Sequence, residues 1–519
     1  MKWNWFLFIF VFSKSIILQS VSAQQMYDPN KLFSVDELRH DFTVLRTVLE
    51  EAHIGLYRYR TKTSADSLFD AQFSQMNHPM TELEFLRMIN PVMTAIRDEH
   101  TFVLPSAAYW DSEIGQTVYS ANSSQSKGKF FPFFIKIIDE KIYIDNNLCS
   151  DATIQDGTEI LSVNGKASAE LLAALLPTLH TNGYIKTFRY RNLEQFSLTQ
   201  TYNRFIINYA LYISAPDTFK LTIRRPDKHE VEEISINALP SRDIYNNYWR
   251  RYSSINDIKK RKEDPVEFRQ IGRDLAYLRL SDFHDWAWRK YNHSFSTEYR
   301  NDFAFIKERN IQHLVIDLRN NEGGNLGIGI DILKYICVKP YQPYKYHEVI
   351  NYRFPSFRSY ERDTAALPNL PDSLFIRTQG NSFRSNTQIA SETWSRPMQP
   401  VTQPYRGKLY VLINGATRSA ASILATLIRV NRRDAIFVGE ESGGDMEGPV
   451  SGSGLEIVLP YTRLRVDVPY IRRIVNLAGY PNKNGRGIFP DYMVTPTVKD
   501  LINKVDTELE FTLSLINRK

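Results

Sequence analysis

Cysteine is nearly absent: Cys149 and Cys337 are the only two in 519 residues, which excludes a disulfide-stapled scaffold. They fall in stretches that read as different units, and packing as small apolar residues is the favoured reading over pairing. Neither cysteine lies in a metal-ligand pattern, and the chain has no His-x-x-x-His and no Cys-x-x-Cys. No metal and no organic cofactor is therefore expected. An excess of charge is also missing, since 64 basic and 58 acidic residues leave a formal +6 with no long basic run. That balance argues against nucleic acid as a partner. No apolar run reaches the length of about 18 residues that a membrane-crossing helix needs, because Lys14 interrupts the longest candidate.

What is present begins with that interrupted segment. Lys2, an apolar stretch from Trp5 to Phe12 and the small residues Val21-Ser22-Ala23 form the pattern of a signal peptide over 1–23, with Gln24 as the first mature residue. The expected destination is periplasmic or extracellular. Hydrophobic residues make up 43% of the chain, enough for more than one core. The expected units are a helical N-terminal domain (24–127), a β-rich module with an insertion (128–252), a linker (253–265) and an α/β domain (266–519).

Helices are signalled first. Ser34 with Glu37 and Thr81 with Glu84 fit the capping box, and Leu38, Phe42, Leu45 and Leu49 share one helical face. The second helix runs toward "IRDEHTFVLP", closed by Pro105. Residues 128–240 change to short β-rich runs such as "FPFFIKIIDEKIYI" around "GTEILSVNGKASAELLAALL", where Asn164-Gly165 marks a turn. The phrase "GTEILSVNG" followed by a helix resembles a PDZ domain, and residues 180–212 read as an insertion; the resemblance implies a peptide ligand. Beyond "SSINDIKKRKEDP", strand-like runs ("LAYLRL", "HLVIDL", "LYVLIN", "AIFVGE") alternate with helical ones ("IDILKYIC", "ASILATLI"), the pattern of a buried α/β sheet. Residues 341–401 read as a long excursion from it.

Three phrases could carry chemistry. "LVIDLRNNEGGN" runs a buried strand into Gly323-Gly324, which can expose backbone amides or simply make a tight turn. "INGATRSAASILATL" sets Ser419 at a helix start, as a cap or as a nucleophile on a turn whose free amides favour negative charge. "RDEHTFV" places His100 beside Asp98 and Glu99, which alone could be solvated charges.

Together these phrases resemble the carboxy-terminal processing (tail-specific) proteases and the core of tricorn protease. "VIDLRNNEGGN" matches that family's "DLR-x-N-x-GG", "NGATRSAASILA" its serine segment, "AIFVGEESGG" its "GE" phrase and "GRGIFPDYMV" its closing "G-x-G-V-x-PD". The resemblance implies an α/β multidomain fold with a helical N-terminal segment, a PDZ-like β-rich module and an α/β (crotonase/ClpP-like) catalytic domain. It implies Ser419 as nucleophile, with Ala420 and one of Gly323 or Gly324 holding the oxyanion, and peptides or unfolded protein tails as substrates.

One departure bears on mechanism. The processing proteases use a Ser-Lys dyad, but no lysine occurs from Leu409 to Asn482, and the family's lysine position falls near Asp445. The tricorn-like branch uses a histidine in a "D-x-H-T" phrase, and "DEHT" (98–101) fits it, which implies His100 as general base. The histidine's orienting partner stays open: the tricorn-type glutamate aligns near Asn484, and Glu99, Asp98, Asp445 and Asp491 are further candidates. The rival expectation is a catalytically inactive peptide-binding protein on the same scaffold. Oligomeric state is not legible.

Overall fold

Helix α1 (Val35–Ala52) begins where the sequence says it should. The Ser34 hydroxyl and the Glu37 carboxylate close a capping box, and Leu38, Phe42, Leu45 and Leu49 are buried along one face. Each such burial is worth roughly 1.5–3 kcal/mol. Helix α2 (Lys62–Ser74) follows, and α3 (Glu82–Ala95) opens on a second capping box from Thr81 and Glu84. The chain then turns through residues 97–101 into the short strand β1 (Phe102–Leu104). In this computed structural model the described residues are 26–112, 115, 129–194, 196–197, 202–252, 264–360, 371–378, 382–387, 393–450 and 454–518. The signal-peptide reading (1–23) and most of the linker reading (253–263) lie outside them.

The β-rich region forms an antiparallel sheet from β2 (Phe133–Ile138), β3 (Lys141–Asn147), β4 (Glu159–Val163), β5 (Thr218–Arg224) and β6 (Val231–Asn237), in the order β6-β5-β4-β3-β2. After β4, Asn164 (φ +49°) and Gly165 (φ +77°) make the tight turn their sequence announces. Helix α4 (Ser168–Leu175) then packs Leu171, Leu172 and Leu175 into the same core as the buried, unpaired Cys149.

The remaining half carries a six-stranded sheet. Its order is β7 (Val266–Ile271), β8 (Leu275–Leu280), β9 (His313–Asp317), β10 (Lys408–Ile413), β11 (Ile436–Gly439) and finally β14 (Tyr492–Met493). Only β7 pairs antiparallel; every other neighbour is parallel. Strands β8 and β9 are buried at every residue, as sheets covered on both faces require. Helices α5 (Phe295–Glu308) and α6 (Ala420–Asn431) lie in the crossovers, and Cys337 is buried in this core, unpaired. The stretch read as an excursion holds three short strands that join Arg472–Val475 in a separate antiparallel sheet.

Two strands from late in the chain, β12 (Gly454–Val458) and β13 (Arg465–Pro469), pair with each other, and β13 also pairs with β1. Leu455, Ile457, Leu464, Val466 and Val468 share one hydrophobic core with the residues of α1 and α3. Asp41 of α1 caps the turn of this hairpin, accepting from Thr462 N at 2.8 Å and Tyr461 N at 3.0 Å. The N-terminal helices thus pack against distant sequence, and the loop after α3 is carried to the tip of β10. Among the described residues no helix is long and apolar enough to cross a membrane.

Candidate active site

Two loops at the ends of parallel strands build one wall of the site. After β9 the chain runs through Leu318–Asn325, and after β10 through Asn414–Ser419. Their side chains lace them together: the Thr417 hydroxyl donates to Leu318 O (2.8 Å), the Asn414 amide exchanges bonds with Asn320, and Arg418 N donates to Asn321 O (3.1 Å). Ser419 then adopts φ +50°, ψ −126°, a conformation that L-residues avoid. It occupies the N-cap position of α6, yet its Oγ makes no capping bond. The hydroxyl is instead turned toward His100, whose Nε2 lies 3.2 Å away although the residues are 319 apart in sequence.

Gly323 fits against this turn at φ +90°. A Cβ there would stand 2.7 Å from Ala420 N and 2.8 Å from Ser419 Cβ, so only glycine allows the approach. The Gly323 N–H is committed to Asn321 Oδ1 at 2.8 Å. Gly324 pairs with Phe283 through a bridge that uses its neighbours' groups: Phe283 N donates to Gly323 O and Asn325 N to Phe283 O. Among the described residues these bonds leave the Gly324 and Ala420 amides without an acceptor.

The opposite wall is the loop between α3 and β1. Asp98 folds it, its Oδ1 accepting from His100 N (2.9 Å) and from the Thr101 hydroxyl (2.8 Å). Asp98, Glu99 and Thr101 are all buried. Glu99 faces Asn182, whose amide donates to it at 3.3 Å, and Arg418, 3.5 Å away. His100 Nδ1 is buried without a hydrogen-bond partner. Asn484 is exposed and no hydrogen bond joins it to His100.

Asp445, at the position where a lysine was sought, is 1% exposed and serves as a hub. It pairs with Arg58 (3.1 Å), accepts from Tyr59 OH (3.0 Å) and from Gly485 N (2.8 Å), and caps Glu447 N (2.7 Å). Burial first, and the adjacent Asp445 carboxylate next, push the Tyr59 phenol pKa upward, so it stays a donor. Glu441 and Asp491 are likewise held in hydrogen-bonded ion pairs. Glu441 binds Arg486 and Gly487 N, and Asp491 takes Arg429 and Phe437 N, which fixes the "PD" turn beside β11. The "ESGG" turn packs tightly on the serine loop, Gly443 N donating to Thr417 O at 2.8 Å.

Asn321, Arg418, Asn182, Tyr59 and Arg58 were not singled out from sequence. Asn321 lies inside "NNEGG" and could have been suspected from its two-residue spacing to Gly323, the spacing of an Asx turn. The others reach the site only through tertiary structure.

Comparison with known proteins adds an independent line. The model of peptidase family S41 matches residues 274–451, the segment carrying β9, β10, Gly323-Gly324 and Ser419. The chain is similar to the carboxyl-terminal-processing protease of Synechocystis sp., 28% identical over 200 residues, covering 38% of this chain and a third (33%) of that protein's length. By structure it resembles mature CPAF, with a TM-score of 0.60, 14% identity and coverage of 93% of this chain and 96% of that one. CPAF complexed with lactacystin matches equally, at TM-score 0.60 with 97% of that chain covered. At such identity the likeness is one of fold, and it extends over nearly the whole chain. Residues 274–451 thus form a peptidase family S41 domain, set in a fold that resembles CPAF over nearly the whole chain.

Proposed function

We propose that this protein is a serine endopeptidase or carboxypeptidase-like processing enzyme with Ser419 as nucleophile and His100 as general base. The observation that carries the reading is the 3.2 Å approach of His100 Nε2 to Ser419 Oγ, on a serine held at positive φ and not used as a cap. In the first half-reaction Ser419 Oγ attacks the peptide carbonyl carbon as its proton passes to His100 Nε2. The oxyanion forms beside the amides of Gly324 and Ala420, neither of which has an acceptor among the described residues; Gly323, whose amide is taken by Asn321, supplies the close backbone approach. The C–N bond then breaks, His100 gives its proton to the leaving amine, and an acyl-Ser419 ester remains. A water deprotonated by His100 hydrolyses that ester and regenerates the hydroxyl.

No lysine base is needed, because Asp445 occupies that position in a saturated network. Residues 128–252 serve as a PDZ-like module that presents extended peptide, so substrates are peptides or unfolded protein tails. Residues 1–23 direct export to the periplasm or the exterior.

The test compares wild type with Ser419→Ala and His100→Ala on an unstructured protein, with a serine-directed phosphonate as probe. Cleavage and phosphonate labelling by wild type alone are expected. Equal cleavage by all three, or no labelling of Ser419, overturns the reading in favour of a peptide-binding protein without activity.

A further inference from the structure

His53 is a titratable group that the reaction above does not use. It closes α1, is fully buried, and is 48 residues from Thr101 in sequence. Its Nδ1 faces the Gly55 N–H at 3.0 Å and its Nε2 faces Thr101 Oγ1 at 2.6 Å. An amide N–H can only donate, so Nδ1 is the acceptor and the ring proton of a neutral imidazole sits on Nε2. The rest of the order follows. Nε2–H donates to Thr101 Oγ1, which leaves the Thr101 hydrogen for Asp98 Oδ1 at 2.8 Å. That same oxygen accepts the His100 N–H at 2.9 Å. Burial depresses the His53 pKa against the pull of Asp98, 4.0 Å away, which keeps the ring neutral.

We propose that His53 is a positioning residue for His100. Its imidazole sets the direction of the Thr101 hydroxyl, and through it the carboxylate that clamps the base-bearing loop. The inference rests on His100 acting as the general base. A purely structural role is the competing account, in which His53 only stitches the turn after α1 through Gly55.

Two half-replacements separate these accounts. His53→Asn keeps an acceptor near the position of Nδ1 but does not reach Thr101. His53→Gln puts an amide N–H near the position of Nε2 and gives up the bond from Gly55. On an unstructured protein substrate, His53→Gln should keep kcat within about threefold of wild type. His53→Asn should lose roughly tenfold or more in kcat with KM little changed. Because replacing a buried histidine can unfold a protein, Thr101 supplies a second test. Thr101→Val, of equal volume, should lose a similar factor, Thr101→Ser should not, and the His53→Asn/Thr101→Val double variant should be no worse than either single one. Full activity of Thr101→Val, or rescue by His53→Asn and not by His53→Gln, overturns the relay. His100→Ala is measured alongside: if it is dead while Thr101→Val is fully active, only the relay falls, and if it still cleaves, the base assignment itself falls.

Discussion

Ser419 and His100 meet at 3.2 Å but are held by different physics. The serine turn is fixed by packing: parallel strand β9 is buried throughout and β10 at every residue after Lys408, Gly323 sits against Ser419 with no room for a Cβ, and helix α6 is buried at eleven of its twelve residues. The histidine loop is fixed by polar bonds, since Asp98, Glu99, Thr101 and His53 are all buried and nearly every link among them is a hydrogen bond. A packed turn resists change in every direction and fails when volume is added. A polar loop is directional and fails when one donor or acceptor is lost.

The largest expected effect strikes where the two meet. Ser419→Ala should lower kcat by roughly 10⁴-fold or more while the melting temperature stays close to wild type, a split read from steady-state kinetics and a thermal melt.

Next comes the packed side. Gly323→Ala should cost about 10²-fold in kcat by displacing the serine turn, plus roughly 1–3 kcal/mol of stability from backbone strain. Gly165→Ala is the control, because Gly165 also has positive φ but nothing within 4 Å. It should lose about 1 kcal/mol in denaturant unfolding and leave kcat unchanged. Equal kinetic losses in the two would break the packing half of the comparison.

The polar side is probed at Asp445. Asp445→Asn leaves Arg58 with a weakened partner in a buried site, and unfolding by urea should show a loss of roughly 2–4 kcal/mol. Stability should suffer more than turnover, the reverse of Gly323→Ala.

The smallest effect lies at a polar group stranded on the packed side. Asp302 of α5 is buried, its Oδ2 has no partner, and burial, with Glu298 adding to it, raises its pKa from 3.8 to about 7. Its folded form stays protonated where the unfolded chain has ionised. Stability from this group is therefore complete below pH 3.8 and is lost as pH rises to about 7. Asp302→Asn should flatten that loss, raising stability at pH 8 by about 1–3 kcal/mol and leaving it unchanged at pH 3.5 in parallel melts.

The same contrast decides what could be read from sequence. Packing leaves local marks: apolar runs announced β8, β9, β10 and β11, and the Gly-Gly pair marked the tight loop after β9. Polar loops leave few. His100 became legible through a four-residue phrase carried by resemblance, whereas His53, Asn182 and Tyr59 belong to the site only because tertiary folding brings separate segments together. Asp445 looked like a missing lysine, and sequence held no sign that it anchors Arg58. The sheet formed by residues 344–349, 375–377 and 383–385 with 472–475 escaped notice because its strands are short and far apart in the chain.

The core shared by α1, α3 and the β12–β13 hairpin also sets an order of events in synthesis. The helices leave the ribosome early, but the apolar side chains of Leu455 to Tyr470 that complete their burial are made more than 350 residues later, and the Thr462 that meets Asp41 follows it by 421 residues. Contacts so distant in sequence form slowly as a rule, and until they form β1 lacks the strand β13 that pairs with it. On the assignment proposed above, the base His100 and the nucleophile Ser419 stay apart until that hairpin has been made. The proposed site closes only after residues 455–470 are in place.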